Sequence, residues 1–415
     1  MILYVLAFVL SFSFYYAAVS IMLLTLVWLF STDYKQLISN IKERKIVLAF
    51  VGYFLFFAIS YFYSTDKAQS SFDLQTKTSL LLLPIIIGAG MNLKKEHIEK
   101  VFFSFVLGIT TSAIISIARA YFEWKTTHNT EVFFYHNLVS QYDTNAVYVA
   151  LYCFFSIGLL LFYNWSNFFK GRLMIIRVAL LGLQLTYFLL LSSRMLILLM
   201  LAFMIPYFLF RFLHQKISKV QLVGLTVIIV LTFASIFAFD NPVRDRFEDV
   251  LKKDMTIVTL NDYSNVKEEN FSNVTLRLFL WRVGIENVNQ NNLWLTGAGN
   301  GDAQDLQNEK FRAYKFPNMV EGSANQSPVF NANLHNMLLQ TLIMVGLPAV
   351  ILLLIIFFTP FYHINRLAIQ PWFVIFHISS FFFMMQESML QTQAGTVYYT
   401  LFYSIFIAGF YIKKI

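Results

Sequence analysis

Apolar runs long enough to cross a lipid bilayer recur along almost the whole chain, and they leave little else for it to become. A spanning helix needs about 20 mostly apolar residues, fewer when it is short or flanked by anchoring aromatics. By that measure the sequence predicts an all-α polytopic membrane protein of about twelve spans, at 1–13, 15–30, 46–63, 79–92, 101–121, 145–163, 174–192, 195–213, 220–239, 335–358, 372–390 and 395–412. Composition agrees: 58% of the 415 residues are hydrophobic and 13% are charged, too apolar for a water-soluble globule. The first thirty residues lack a basic leader and a small-residue cleavage motif, so they read as a retained membrane hairpin rather than a signal peptide.

One stretch breaks the pattern. From Asp240 to Leu334 the apolar runs give way to Asn, Asp, Glu and Gly, dividing the chain into an N-terminal bundle of about nine spans (1–239), a long loop (240–334) and about three C-terminal spans (335–415). Placing the loop outside the cell leaves sixteen Lys and Arg in the cytoplasmic segments and only Lys67, Lys77, Lys125 and Arg194 in the short outer loops. This bias follows the positive-inside rule and predicts a bacterial inner-membrane protein with both termini cytoplasmic. The loop itself holds ten basic against thirteen acidic residues, so the net charge of +8 belongs to the cytoplasmic side and leaves no footprint for nucleic acid.

A loop of this length with periodicity of its own is usually functional. Asn241-Pro242 predicts a helix to about Lys253, and residues 256–272 read as a polar excursion. Thr275 to Val288 has helical spacing, with Leu276, Phe279, Leu280, Val283 and Ile285 available for an apolar face. Gly297-Ala298-Gly299-Asn300-Gly301 must break that helix, Asp302 is placed to cap another running to about Tyr314, and Pro317 ends it. The glycine run has no preceding strand and no following Lys-Ser/Thr, so it reads as a turn rather than a nucleotide loop.

Ionisable groups at the ends of apolar runs are costly unless solvated or used. Arg194, in the tight turn Leu191-Ser192-Ser193-Arg194-Met195, must lie at the outer interface, either as an anchor or as a ligand-binding group. Arg277 shares a helix face with Trp281 at i, i+4, and it is either solvated or functional. His335-Asn336 precedes the apolar run from Met337 and is a helix start or a site. Two arginines and a histidine facing one cleft would suit a diphosphate-bearing substrate: guanidinium forks bind phosphate bidentately, and a near-neutral histidine can take a hydroxyl proton. His136 and Asn137, with Tyr142 and Asp143, either line the same cleft or form a solvated loop. Arg119 and Glu387, inside apolar runs near their outer ends, are structural partners or part of the substrate path. Cys153 sits alone in an apolar run, and the histidines show no metal-ligand spacing, so no metal or cofactor is expected.

Taken in order, Ser193-Arg194 between two apolar runs, Arg277-x-x-x-Trp281 followed by Gly297-x-Gly299, and His335-Asn336-x-x-Leu339 with Gly346 resemble the O-antigen ligase and polymerase superfamily of bacterial membrane glycosyltransferases. The motifs span about 190–350. The resemblance implies a metal-independent transfer of a glycan from undecaprenyl diphosphate to an acceptor hydroxyl on the outer face of the inner membrane, with inversion at the anomeric carbon. It further implies that Arg194 and Arg277 hold the diphosphate and that His335 orients or deprotonates the acceptor. Arg282 is a second candidate for the arginine role, ranked lower because the family spacing puts the arginine four residues before the tryptophan. Trp281, Asn336, His136 and Tyr142 are candidate substrate contacts. Lipid A core, a second lipid-linked glycan and a protein hydroxyl all remain open as acceptors. Outside this class, a polysaccharide transporter or flippase is an alternative, although such proteins often show internal repeats and midplane charges, and here no repeat is visible and most spans carry no central charge; a non-enzymatic assembly or export component is another.

Overall fold

The computed structural model describes residues 1–142, 144–165, 168–169, 171–213, 244, 254–266, 270–316, 331–362 and 371–410, with side chains omitted at 204–213, 362 and 410. The expected span at 220–239, the expected helix at 242–253 apart from residue 244, Asp143 and Pro317 lie outside these residues. Among the described residues every regular element is helical. The principal helices are α1 (Ile2–Val9), α2 (Phe14–Ser31), α3 (Tyr34–Glu43), α4 (Ile46–Tyr63), α5 (Lys67–Leu83), α6 (Lys95–Thr127), α7 (Ala146–Phe162), α8 (Met174–Leu190) and α9 (Arg194–Leu213). They continue with α10 (Asn273–Gln290), α11 (Ala303–Ala313), α12 (Met337–Val345), α13 (Leu347–Tyr362), α14 (Pro371–Gln386) and α15 (Gln393–Phe410).

Five of the described helical stretches are long and apolar enough to cross a membrane: Phe14–Ser31, Ile46–Tyr63, Lys67–Ala89, Lys95–Thr127 and Gly171–Leu190. Shorter apolar helices lie at Ala146–Phe162, Arg194–Phe203, Leu347–Phe361 and Pro371–Gln386. The structure therefore supports a polytopic membrane protein without reproducing twelve separate spans, and three of the expected runs differ from expectation. The 1–13 run is an eight-residue helix, α1, only about 12 Å long at the usual rise. The 335–358 run is two helices, split where Gly346 takes φ +81°. The 79–92 run begins more than three turns earlier: Asp66 caps α5 by accepting from the Gln69 amide at 2.8 Å, and α5 passes into a π-helical turn at Pro84–Ala89.

The chain forms two compact units. One comprises Met1–Leu10, Phe14–Phe102 and Lys253–Ile415; the other comprises Ser11–Ser13 and Phe103–Lys252. In the first, α4 packs on α5 and α13, and α15 packs on α5 and on its π-helical turn. Pro360 lies inside α13 and has no amide to offer the Ile356 carbonyl. The Tyr403 hydroxyl donates to that carbonyl at 2.7 Å instead, and His377 Nε2 donates to Phe357 O at 2.7 Å. A long-range side-chain bond thus fills the gap that proline leaves, so α13 keeps its course. In the second unit α7 packs on α8 and α9, and the Tyr187 hydroxyl joins Ser112 and Ser116 of α6 at 3.3 and 3.2 Å.

Candidate active site

Helix α10 starts where the sequence directs it to. Ser272 accepts from the Thr275 amide at 3.1 Å while Thr275 Oγ1 accepts from the Ser272 amide at 2.8 Å, a reciprocal cap that satisfies two otherwise orphaned donors. Phe279, Leu280, Val283 and Val288 form its buried face, but Ile285 is exposed, against expectation, because Gly284 and Asn287 take its place on that side. Arg277 and Trp281 stand one turn apart on α10. The Arg277 Nη2 donates to Glu387 Oε1 at 2.6 Å.

Glu387 follows α14 directly, its amide bonded to Phe383 O at 2.8 Å. Its second oxygen, Oε2, accepts a hydrogen bond from His335 Nδ1 at 2.7 Å. One carboxylate therefore holds both an arginine and a histidine that the sequence separates widely. Burial alone would push the Glu387 carboxyl up, but the bond and charge of His335 and the Arg277 guanidinium outweigh it and hold the group below the usual glutamate range. Since the carboxylate can only accept, Nδ1 carries the proton whenever the ring is neutral, and Nε2 then keeps its lone pair.

The backbone around His335 is arranged for this contact. His335 has φ +46°, a left-handed conformation that costs a non-glycine residue on the order of 1 kcal/mol. Its amide donates to Asn333 Oδ1 at 2.9 Å. Asn336 then caps α12, accepting from the Leu338 and Leu339 amides at 3.0 and 3.1 Å. Asn336 Oδ1 is thus engaged in holding the helix start, whatever else the residue meets. Among the described residues Arg277 Nε and Trp281 Nε1 are buried and find no acceptor, which leaves two donors on one face of α10 beside the Glu387 bridge.

Arg282 is placed elsewhere. Five residues after Arg277, it donates to Glu286 at 2.7 Å, to the Val258 and Leu260 carbonyls at 3.0 and 2.7 Å, to Asn261 at 2.7 Å and to the Tyr314 hydroxyl at 3.1 Å. It straps residues 258–261 to α10. Burial raises the Glu286 carboxyl, but Tyr314, Arg282 and Lys310 more than reverse this and hold it low; Tyr314 is pushed up to about 12 by burial and by Glu286. In the other unit, Arg194 is the first residue of α9, half-buried, after a turn in which Ser192 takes φ +52°. His136 is exposed and its ring lies 3.9 Å from that of Tyr135, and Tyr142 donates to the Ser112 carbonyl at 3.3 Å.

The glycine segment offers its amides to protein, not to a ligand. Ala298 and Gly299 donate to the Ile343 and Met344 carbonyls at 2.8 and 2.9 Å, and Gly301 donates to Ser64 Oγ at 3.2 Å. Asp302 precedes α11 but makes no side-chain cap. Its carboxylate instead accepts from the Thr65 and Asp66 amides at 2.7 and 2.8 Å, satisfying the start of α5. Among the described residues no three His, Cys, Asp or Glu side chains gather as a metal site.

Helices fit to cross a membrane and a His–Glu–Arg cluster at the start of α12 define an integral membrane protein with a compact ionisable site. Residues 178–354 match the O-antigen ligase family, and the match supports the chain's place in the O-antigen ligase/polymerase superfamily. Arg194, Arg277 and His335 fall inside the matched stretch; Glu387 lies beyond it. No curated protein matches the chain.

Proposed function

We propose that the chain is an inner-membrane glycosyltransferase of the O-antigen ligase type, which moves a glycan from undecaprenyl diphosphate to an acceptor hydroxyl at the outer face without a metal. The observation that carries this reading is the Glu387 carboxylate, which orients the His335 imidazole through Nδ1 and binds Arg277 with its other oxygen. His335 Nε2 takes the acceptor proton as the acceptor oxygen bonds to the anomeric carbon from the face opposite the phosphate. The glycosyl C–O bond breaks, its electron pair leaves with the diphosphate, and the anomeric configuration inverts. Glu387 stabilises the imidazolium that forms. Arg277 Nε and Trp281 Nε1, the donors without an acceptor, meet the oxygens of the leaving group; Arg194 is proposed as a diphosphate ligand on the sequence motif alone. Residues 240–334 are the extracytoplasmic loop of this reading.

The test is transfer by purified protein in the presence of a strong chelator, with a lipid-linked glycan and candidate acceptors. Activity should survive the chelator. Arg277→Lys and Arg194→Lys keep charge and lose the planar fork. A charge-assisted bond is worth about 1.5–3 kcal/mol, so each variant should slow transfer by about ten- to a hundredfold. His335→Ala should cost about 10²–10⁴-fold. Near-normal transfer by all three variants at equal membrane abundance would return these residues to structural roles.

A further inference from the structure

The loop's tip at 291–296 carries Trp294 and Leu295, exposed at 46% and 71%. It is a pinned turn, with the Leu293 amide on Val288 O at 3.0 Å and the Gly297 amide on Leu293 O at 2.9 Å. Two apolar helices hold it from either side. The Leu347 amide at the start of α13 donates to Trp294 O at 2.7 Å, and the Tyr63 hydroxyl at the end of α4 donates to Thr296 O at 2.5 Å. Helices α4 and α13 pack together, and each shows an exposed apolar stripe that ends at the tip. On α4 it runs through Leu48, Leu55, Ile59 and Phe62. On α13 it runs through Phe358, Ile355, Ile351 and Leu347.

A stripe of exposed aliphatic and phenyl groups along a membrane-crossing helix faces lipid. Trp294 and Leu295 continue both stripes at the level of the helix ends, where amphipathic aromatic rings settle between headgroups and acyl chains. Lys67, whose ammonium donates to the Tyr61 and Phe62 carbonyls at 2.6 and 3.0 Å, marks the polar side of the same level. We propose that the 291–296 tip is a membrane-surface anchor: Trp294 and Leu295 enter the headgroup–acyl boundary of the bilayer and fix the height of α10 above it. The anchor would sit in the bilayer whether or not the chain transfers glycans.

Depth-resolved quenching tests it. An NBD fluorophore is attached at Leu295→Cys, at Phe62→Cys as the lipid reference and at Glu309→Cys, exposed on α11, as the water reference. The full-length chain carries Cys153→Ala and is reconstituted in phosphatidylcholine vesicles with bromines at acyl carbons 6,7 or 11,12. The label at 295 should be blue-shifted relative to 309 and lose fluorescence to the 6,7-dibromo lipid more than to the 11,12, as at 62. Quenching at 295 by aqueous iodide alone, as at 309, would overturn the anchor. So would quenching by neither agent, which would mean that protein covers the tip.

Discussion

At the scale of single residues, Glu387 changes what His335 and Arg277 mean. Both were legible in the sequence because ionisable groups beside apolar runs stand out. Glu387 stood out for the same reason, but its role did not, since its partners lie 52 and 110 residues away and no periodicity joins them. Arg282 shows the converse: a helix that carries two arginines gives no hint that one is spent on local carbonyls until the 258–261 backbone is seen folded over it. The bridge makes a prediction that a merely structural glutamate would not. Glu387→Gln removes the oxygen that orients His335 and the charge that binds Arg277, so it should lower the maximal rate of transfer at equal membrane abundance, with Glu387→Asp retaining part of it. The same carboxylate bears on stability. A carboxyl held low in the fold contributes stability above its ordinary range and loses it as pH falls toward the folded value, so the glutamine variant should be less acid-sensitive than the parent. Transfer by Glu387→Gln at the parent rate and equal abundance would detach the carboxylate from the chemistry.

At the scale of elements, helical spacing and the glycine break placed α10 and α11, but their caps were not readable, since Asp302 leaves α11 uncapped and Ser272 caps α10, and α5 was not readable either. Residues 64–78 look like a polar outer turn, and Lys77 like a loop residue facing water. In the fold Lys77 is fully buried on α5, donating to Asp73 and, at 2.7 Å, to Gln391 Oε1, with its ammonium 4.7 Å from the Phe57 ring centre. Asn300 of the glycine segment reaches Ser70 and Asp73 from the other side. The polar face of α5 therefore packs against the glycine segment and the 389–391 turn that follows Glu387, an arrangement that only tertiary contact reveals. The glycines serve the same junction. Gly346 takes φ +81°, and a Cβ there would lie 2.2 Å from the Leu295 carbonyl oxygen, so Gly346→Ala should force α12 and the tip apart. Lys77→Met leaves Asp73 buried without its cation, a loss of about 3–5 kcal/mol for breaking a buried pair. Lys77→Met with Asp73→Asn removes both charges and should recover much of that loss. Thermal unfolding in detergent reads both variants, and a double variant no more stable than Lys77→Met would show that the pair does not act as a unit.

At the scale of the whole molecule, the helical membrane class was legible because hydropathy acts over runs longer than any local ambiguity. The number of spans was less so, since apolar length does not reveal a break such as Gly346. Orientation rests on charge. Lys77 is not in a loop, so the short loops opposite the basic side are poorer in charge than the sequence suggested. Within its unit, α4 fixes which groups share an end. Arg44, just before α4, donates to the Gly88 and Met91 carbonyls and to Asn92, gathering the Lys35–Lys45 and Lys94–Lys100 clusters at one end. Tyr63, Ser64 and Thr65 bind the 296–302 segment at the other. Eighteen helical residues separate them, about 27 Å at the usual rise and close to the thickness of a bilayer core. If positive residues are retained inside, the Arg44 end is cytoplasmic and the loop, with His335 and Glu387, is outside. Single cysteines at Lys42 and Glu309 in a Cys153→Ala chain should then respond oppositely to an impermeant maleimide: in spheroplasts 309 is labelled and 42 is not until the membrane is opened. Labelling of 42 alone would reverse the orientation and remove an outer-face donor, while leaving the fold intact. Labelling of both in sealed spheroplasts would contradict the fold itself, because α4 holds those two residues on opposite sides of one membrane-length helix.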